Sequence, residues 1–352
     1  MVFMKEGSYM TYPKSTRVGV VTQVGRVEVQ RRPLRSLAPD EVLVAVRASA
    51  LCGSDLHIAR GRHPSAALPV TIGHEFSGDV AAVGEGVDPA LLGRRVTVEP
   101  CIVCGTCPAC RRGDYNYCEH ISFTYRNGDG AMADYVAVKA SGLHLLPAGM
   151  SYETGALLEP LSVATHAVRR AGVALGDTVL VIGDGAIGLL TAAMCRRCGA
   201  GRVLVAGHSD SRLALAARFG ATDTLNTHQG DPVAWALELT NGAGVTRSFE
   251  CVGTGACFTQ SMECLCRGGT ATILGIYEEP DITVRASRFV THELTVKGAQ
   301  GYCRDFPDAI TAAKDLPLED LITHTFPLEE IQAAMDTALD RRSGSVKVLL
   351  RP

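Results

Sequence analysis

Five cysteines crowd the stretch CIVCGTCPACRRGDYNYC, at positions 101, 104, 107, 110 and 118. Cys-x-x-Cys steps let successive thiolates converge on one tetrahedral ion, with sulfur about 2.3 Å from zinc. Cys104, Cys107, Cys110 and Cys118 fill four corners, which gives a closed, structural site rather than a reactive one. A reduced cysteine-rich loop or a redox pair is the alternative. Because Cys101 continues the same three-residue step, spacing alone also permits a shifted ligand set.

A second group of donors is scattered over three segments. ALCGSDLH carries Cys52, Ser54, Asp55 and His57; TIGHEFSG carries His74 and Glu75; LLEPLSVATH carries Glu159. Taken singly, a cysteine or histidine in an apolar setting is usually packing. Together they offer a thiolate, an imidazole and carboxylates, a mixture suited to Zn²⁺. A site with three protein ligands keeps a position open for water or substrate.

A third chemical signal is Gly183-x-Gly185-x-x-Gly188, within VLVIGDGAIGLL. It follows an apolar strand pattern and opens a helix, the context that makes this motif a dinucleotide turn. The first glycine permits the tight turn, the second admits the pyrophosphate close to the backbone, and the third lets helix and strand approach. The pyrophosphate then sits on free N–H groups at a helix N-terminus.

These residues need two kinds of scaffold. From about residue 17 to 150 the chain reads as short strands separated by Gly and Pro, among them EVLVAVRASAL, FSGDVAAVGEGV, RRVTVEP and ADYVAVKAS, which predicts a barrel-like β domain. GALLEPLSVATHAVRRAG then has helical spacing. Beyond it strands and helices alternate: TVLVIG, a helix closed by Gly199, RVLVAG, a helix closed by Gly220, then RSFECVG, TATILGIY and ELTVKGA as strands. Apolar strands alternating with helices predict a doubly wound parallel sheet. The texture turns mixed again near residue 300 and ends in a strand, SVKVLL. The fold class is therefore α/β, in two domains with a cleft expected between them.

Composition narrows the partners. The 352 residues carry 34 basic and 37 acidic side chains, a net charge of −3, so neither nucleic acid nor a membrane surface is expected as a partner. No apolar run approaches the roughly 20 residues that span a bilayer. The first residues lack the apolar segment of a signal peptide, so the thirteen cysteines read as thiols and metal ligands in a reducing cytoplasm.

The order Cys-Gly-Ser-Asp-x-His, Gly-His-Glu, the cysteine lobe, Glu-Pro-Leu-Ser-Val and Gly-x-Gly-x-x-Gly resembles the zinc-dependent medium-chain dehydrogenases. GALLEPLSVATHAVRRAGV in particular resembles their polyol group, which includes sorbitol and threonine dehydrogenases. The resemblance runs from about residue 17 to the C-terminus. It implies a GroES-like catalytic domain over 17–160 and 300–352, a Rossmann domain over 161–299, and an N-terminal extension over 1–16. It implies two zinc ions per chain. Cys52 and His74 would bind the catalytic one, with Glu75 and Glu159 supplying the remaining coordination, either carboxylate being able to serve. Asp55 would accept a hydrogen bond from His74, and Ser54 and His57 would relay the alcohol proton to solvent. The resemblance assigns Cys104, Cys107, Cys110 and Cys118 to the structural zinc. Ala186 and Ile187 belong to the dinucleotide turn, while Val252 and Gly275, at later strand ends, would lie near the nicotinamide. Family members assemble as homodimers or homotetramers through the dinucleotide domain.

Cofactor choice is read at the end of RVLVAG. In NAD-binding units an acidic residue about twenty positions beyond the glycine motif holds the ribose hydroxyls. Aligned through Arg212, that place is Gly207, followed by His208 and Ser209. Glycine removes the repulsion of a 2′-phosphate and makes room; His208, Ser209 and Arg212 offer a ring, a hydroxyl and a cation that can fork onto phosphate. This favours NADP(H) over NAD(H); the alternative is that Asp210 replaces the acid in a longer loop, although Asp210 also suits an N-cap for the following helix. The expected reaction is hydride transfer between a secondary alcohol (a polyol, sugar derivative or related hydroxy compound) and NADP(H). Sorbitol dehydrogenases carry a basic residue before the tyrosine of KGAQGYCRDF, whereas Gly301 precedes Tyr302 here, which speaks against sorbitol itself. Competing readings are an NAD-dependent sorbitol- or threonine-type enzyme, a zinc-free quinone or enone reductase, and a zinc-stabilised protein without activity.

Overall fold

The structure, a computed structural model, describes residues 13–63, 66–279 and 281–352. Most of the expected N-terminal extension, residues 1–12, therefore lies outside the described residues; β1 begins at Ser15. The chain divides into two compact units, Met1–Glu159 with Leu321–Pro352, and Pro160–Asp320.

In chain order the first unit opens with β1 (Ser15–Gln23), β2 (Arg26–Pro33), β3 (Glu41–Ala50), α1 (Gly53–Ala59), β4 (Val70–Thr71), β5 (Glu75–Val83) and β6 (Arg95–Val98). β7 (Cys101–Ile102), α2 (Pro108–Arg112), β8 (Ser122–Phe123), β9 (Tyr135–Lys139), β10 (Leu143–Leu145) and α3 (Tyr152–Ala156) follow. A long helix, α4 (Leu158–Ala171), then leads into the second unit.

That unit contains β11 (Thr178–Ile182), α5 (Ala186–Arg197), β12 (Arg202–Gly207), α6 (Asp210–Ala216), β13 (Asp223–Asn226), α7 (Pro232–Leu239), β14 (Val245–Glu250) and α8 (Gly255–Glu263). It closes with β15 (Leu265–Ile273), α9 (Ser287–His292), β16 (Thr295–Gly298) and α10 (Phe306–Ala313). The return to the first unit supplies β17 (Ile322–Pro327), α11 (Ile331–Leu339) and β18 (Lys347–Arg351).

β3 is the hub of the first unit. It is nearly buried along its length and pairs with β5, β9 and β18. Its Val42, Val44 and Val46 pack with Phe76, Val80, Val96 and Val98 in one core, the dense β-branched packing that a twisted sheet favours. The last strand of the chain thus lies beside the third, which brings residues near 347 next to residues near 50.

The second unit holds a parallel sheet in the order β13-β12-β11-β14-β15-β16. Strand order reverses between β11 and β14, and in open sheets of this kind ligands bind outside the carboxyl ends of the strands at that switch. Gly183 follows β11 and Cys251 follows β14, so the glycine motif stands at the switch point.

The chain returns to the first unit at Leu321 rather than near residue 300. α10 and its flanks are tied to the second unit: Asp305 pairs with His166 and Arg169, Arg197 with Asp315, and Arg218 with Asp320. Tyr302 is buried edge-on against Phe306, 5.0 Å between ring centres, so it is a packing residue there.

Candidate active site

Cys52 is the N-cap of α1, with extended backbone at φ −96° and ψ 156°. Its N–H donates to Asp55 Oδ2 at 2.9 Å, and Gly73 N–H donates to Asp55 Oδ1 at 3.3 Å. Asp55 therefore ties the start of α1 to the turn before β5, where His74 and Glu75 sit. Gly73 takes φ +97°, and a Cβ there would lie 2.5 Å from the amide nitrogen of Met132. The turn needs glycine for both reasons. Ligand atoms of Cys52, His74 and Glu75 all fall within 4.8 Å of one another.

The resemblance predicted a hydrogen bond from His74 to Asp55. Their atoms are instead 3.9 Å apart, and His74 Nδ1 is buried without a hydrogen-bond partner among the described residues. Asp55 is occupied by the two backbone amides. Burial opposes charge on His74, but the Cys52 sulfur, Asp55 and Glu159 outweigh it and raise its proton affinity. A buried thiolate, imidazole and carboxylate converging this closely, with one ring nitrogen unsatisfied, fit a zinc ion. Ser54 and His57 stand one turn apart on α1, both half-buried.

Glu159, at the start of α4, is buried but does not join that three-donor group; its charge acts on His74 and on Lys347. Lys347, in β18, went unread in the sequence. Its ammonium, 4% exposed, donates to the Leu51 carbonyl at 3.1 Å and to both oxygens of the fully buried Glu75. Burial disfavours the ammonium, yet Glu75, Cys52 and Glu159 more than compensate and raise its proton affinity. The signal was present: a lysine in the middle of the apolar run SVKVLL asks for a buried partner.

The cysteine lobe gathers Cys104, Cys107, Cys110 and Cys118. Cys118 and Cys104 sulfurs are 3.6 Å apart, and Cys104 and Cys110 are 4.0 Å apart. Backbone amides aim at the sulfurs: Cys107 N–H at Cys104, and Cys104 and His120 N–H at Cys118. The amides of Thr106 and Cys107 bring the Cys104 thiol down to about 5, while burial, with Cys107 and Cys118 beside it, pushes Cys110 up to about 12. Cys101 is outside this group; it lies in β7, paired with Phe123 of β8.

In the second unit each motif glycine has a different reason. Gly183 has φ +121°, and a Cβ there would press on Val252 at 3.0 Å. Gly185 faces open space, the side from which a ligand can approach the backbone. A Cβ on Gly188 would collide with the Gly183 carbonyl, so helix and strand touch there. Ala186 and Ile187 begin α5. At the β14 tip the fully buried Glu250 accepts from Val252 and Gly253 N–H at 2.8 Å each and from the Tyr277 hydroxyl at 2.7 Å. A Cβ on Gly275 would lie 2.5 Å from Glu250 Oε2. Glu250 was missed as a sequence signal, though it stands in the quoted RSFECVG.

At the β12 tip two expectations are corrected. Gly207 does not leave room: a Cβ there would lie 2.5 Å from Asp184 Oδ2, because that carboxylate fills the space. Asp210 is not the cap of α6 but its first residue; Ser209 is the N-cap, and Asp210 accepts from the Asn226 side-chain amide at 2.6 Å.

Fold and site define a zinc-binding, dinucleotide-dependent dehydrogenase class. Residues 38–148 match the alcohol dehydrogenase GroES-like domain, and 186–315 match the zinc-binding dehydrogenase domain. Sorbitol dehydrogenase of Bacillus subtilis is 32% identical, covering 97% of this chain and 99% of that protein. L-threonine 3-dehydrogenase of Caldanaerobacter subterraneus is 33% identical over 92% and 95%. Among solved structures, one described as a zinc-binding dehydrogenase from Sinorhizobium meliloti, bound to NADP, superposes with a TM-score of 0.90 at 31% identity, covering 97% of this chain and 100% of that one. The chain belongs to the zinc-dependent medium-chain dehydrogenase family, in its polyol dehydrogenase group. No helix among the described residues is long and apolar enough to cross a membrane.

Proposed function

We propose that this protein interconverts a secondary alcohol, of the polyol, sugar-derivative or related hydroxy class, and its ketone, using NADP(H). The convergence of Cys52, His74 and Glu75 within 4.8 Å, beside Ser54 and His57 on α1, carries the reading. These three residues would hold the catalytic zinc, with Glu159 as a reserve carboxylate. Cys104, Cys107, Cys110 and Cys118 would hold the structural one.

Bound zinc supplies a Lewis acid at the substrate oxygen and lowers the cost of losing the hydroxyl proton near neutral pH. The chain does the rest. Ser54 accepts that proton and His57 passes it towards solvent. Lys347 aims the Glu75 carboxylate by holding both its oxygens. Gly183, Gly185 and Gly188 seat the pyrophosphate on the first amides of α5, where the helix dipole favours anions. Glu250 braces the β14 tip, placing Val252 and Gly275 on the nicotinamide side. His208, Ser209 and Arg212 receive the adenosine 2′-phosphate. The net reaction moves the carbinol hydride to the nicotinamide and the hydroxyl proton to solvent.

The location is the cytoplasm and the assembly a homodimer or homotetramer, which light scattering after gel filtration measures. A panel of polyols and sugar ketones, assayed with NADPH or NADP⁺ and with their 2′-unphosphorylated counterparts, tests the reaction. Turnover of a secondary alcohol with a higher kcat/KM for the phosphorylated carrier is expected. Turnover that persists in metal-free protein would support the zinc-free reductase instead.

A further inference from the structure

The acid missing from the end of β12 has a counterpart in the glycine turn itself. Asp184, between Gly183 and Gly185, is 2% exposed. Its Oδ2 accepts from His208 N–H at 2.9 Å and from Ser209 N–H at 2.8 Å. Its Oδ1 faces Arg212 Nη1 at 3.8 Å. The two lone pairs of Oδ2 are thus spent on backbone amides of the next turn, and Oδ1 is turned to a guanidinium. A carboxylate so engaged cannot also take the ribose hydroxyls that a strand-end acid would bind.

The arrangement tolerates only glycine at 207, since any Cβ there would lie 2.5 Å from Asp184 Oδ2. Asp184 and Gly207 are therefore a matched pair. An acid on the first turn excludes an acid at the tip of the second strand. In exchange it fixes the 207–209 backbone and the direction of Arg212. His208 remains exposed, its ring edge-on to His228 with centres 6.3 Å apart, and Ser209 is half-buried.

We infer that Asp184 is the positioning residue for electron-carrier choice. Through two amides and Arg212 it holds the β12 tip in the form that accepts a 2′-phosphate, and it bars the strand-end acid that would favour the unphosphorylated carrier. The inference rests on the NADP(H) reading of that turn.

The test compares NADPH and NADH, which differ only in the 2′-phosphate, by fluorescence titration of the full-length protein. Wild type, Asp184→Ala, Asp184→Asn, Gly207→Ala and the Asp184→Ala/Gly207→Ala double variant are compared, with folding checked by circular dichroism. Asp184→Ala is expected to weaken NADPH binding about tenfold and NADH binding less than about threefold. Asp184→Asn, whose amide oxygen still accepts from the backbone, should restore NADPH binding to within about threefold of wild type. Gly207→Ala alone should weaken both carriers. Removing Asp184 as well should recover NADH binding, so the two changes are not additive. Equal loss of both carriers in Asp184→Ala, or an additive cycle, overturns the inference. If wild type binds NADH more tightly than NADPH, the NADP(H) reading fails by itself; a non-additive cycle then still supports the matched pair, and an additive one overturns it.

Discussion

The two candidate metal sites lie in the same unit and are built in opposite ways. The cysteine lobe takes all four donors from residues 104–118, and the amides that stabilise its sulfurs come from residues 104–120. The Cys52–His74–Glu75 cluster draws on the start of α1, the turn before β5 and, through Lys347, the last strand of the chain. The lobe is a local device built from its own loop. The cluster is a product of the whole sheet: Glu75 and Lys347 are 272 positions apart in sequence and meet because β18 runs beside β3. A local site is stabilised by its ligand; a distributed site is stabilised by the fold, and so can leave a coordination position for chemistry.

That contrast can be broken by substitution. Cys52→Ser should reduce turnover by about three orders of magnitude or more while the thermal unfolding curve stays in place, because the fold, not this thiolate, holds the cluster together. Steady-state assays and circular dichroism melts read the two effects separately, and surviving activity would remove Cys52 from the mechanism.

Lys347→Met should cost about 3–5 kcal/mol of stability, since it strands the buried Glu75 carboxylate. Denaturant unfolding of metal-depleted protein measures it. Adding Glu75→Gln should return part of the loss, as expected of a pair that is coupled rather than two independent contacts.

Cys104→Ser should remove one of two zinc ions per chain by elemental analysis. The melting temperature should fall by about 5 °C or more, with turnover per folded molecule largely kept. A loss of turnover as complete as that of Cys52→Ser would erase the distinction between the two sites. The smallest effect is expected at the buried Glu250 carboxylate, in the dinucleotide unit. Tyr277→Phe deletes one of three donors to Glu250 and should cost about 1 kcal/mol in denaturant unfolding.

The same contrast explains what could be read in advance. The lobe, the three motif glycines and the strand-helix alternation depend on spacing within a short window; the structure gathers Cys104, Cys107, Cys110 and Cys118, sets the glycines between β11 and α5, and alternates strands with helices. Cys52, His74 and Glu75 were legible as residue types, and their grouping into one site was expected from those types and the family resemblance rather than from spacing, because no window spans them. Lys347, Asp184 and Glu250 were not read at all. Each is a charged residue inside an apolar or glycine-rich stretch whose partner is a backbone amide or a remote side chain. The end of the second unit was placed too early for a related reason: residues 300–320 have mixed texture, and the remote pairs of Asp305, Asp308, Asp315 and Asp320 help attach them to that unit.

Sequence by itself determined the periods of the strands and helices, the glycines that the dinucleotide turn requires, and a cluster of closely spaced cysteines. These follow from local geometry and residue chemistry. Tertiary structure alone decided which donors meet, that Glu75 is held by Lys347, and that the space at Gly207 belongs to Asp184. Those outcomes depend on which strands become neighbours, and burial then makes each unpaired charge too costly to leave without the partner the fold provides.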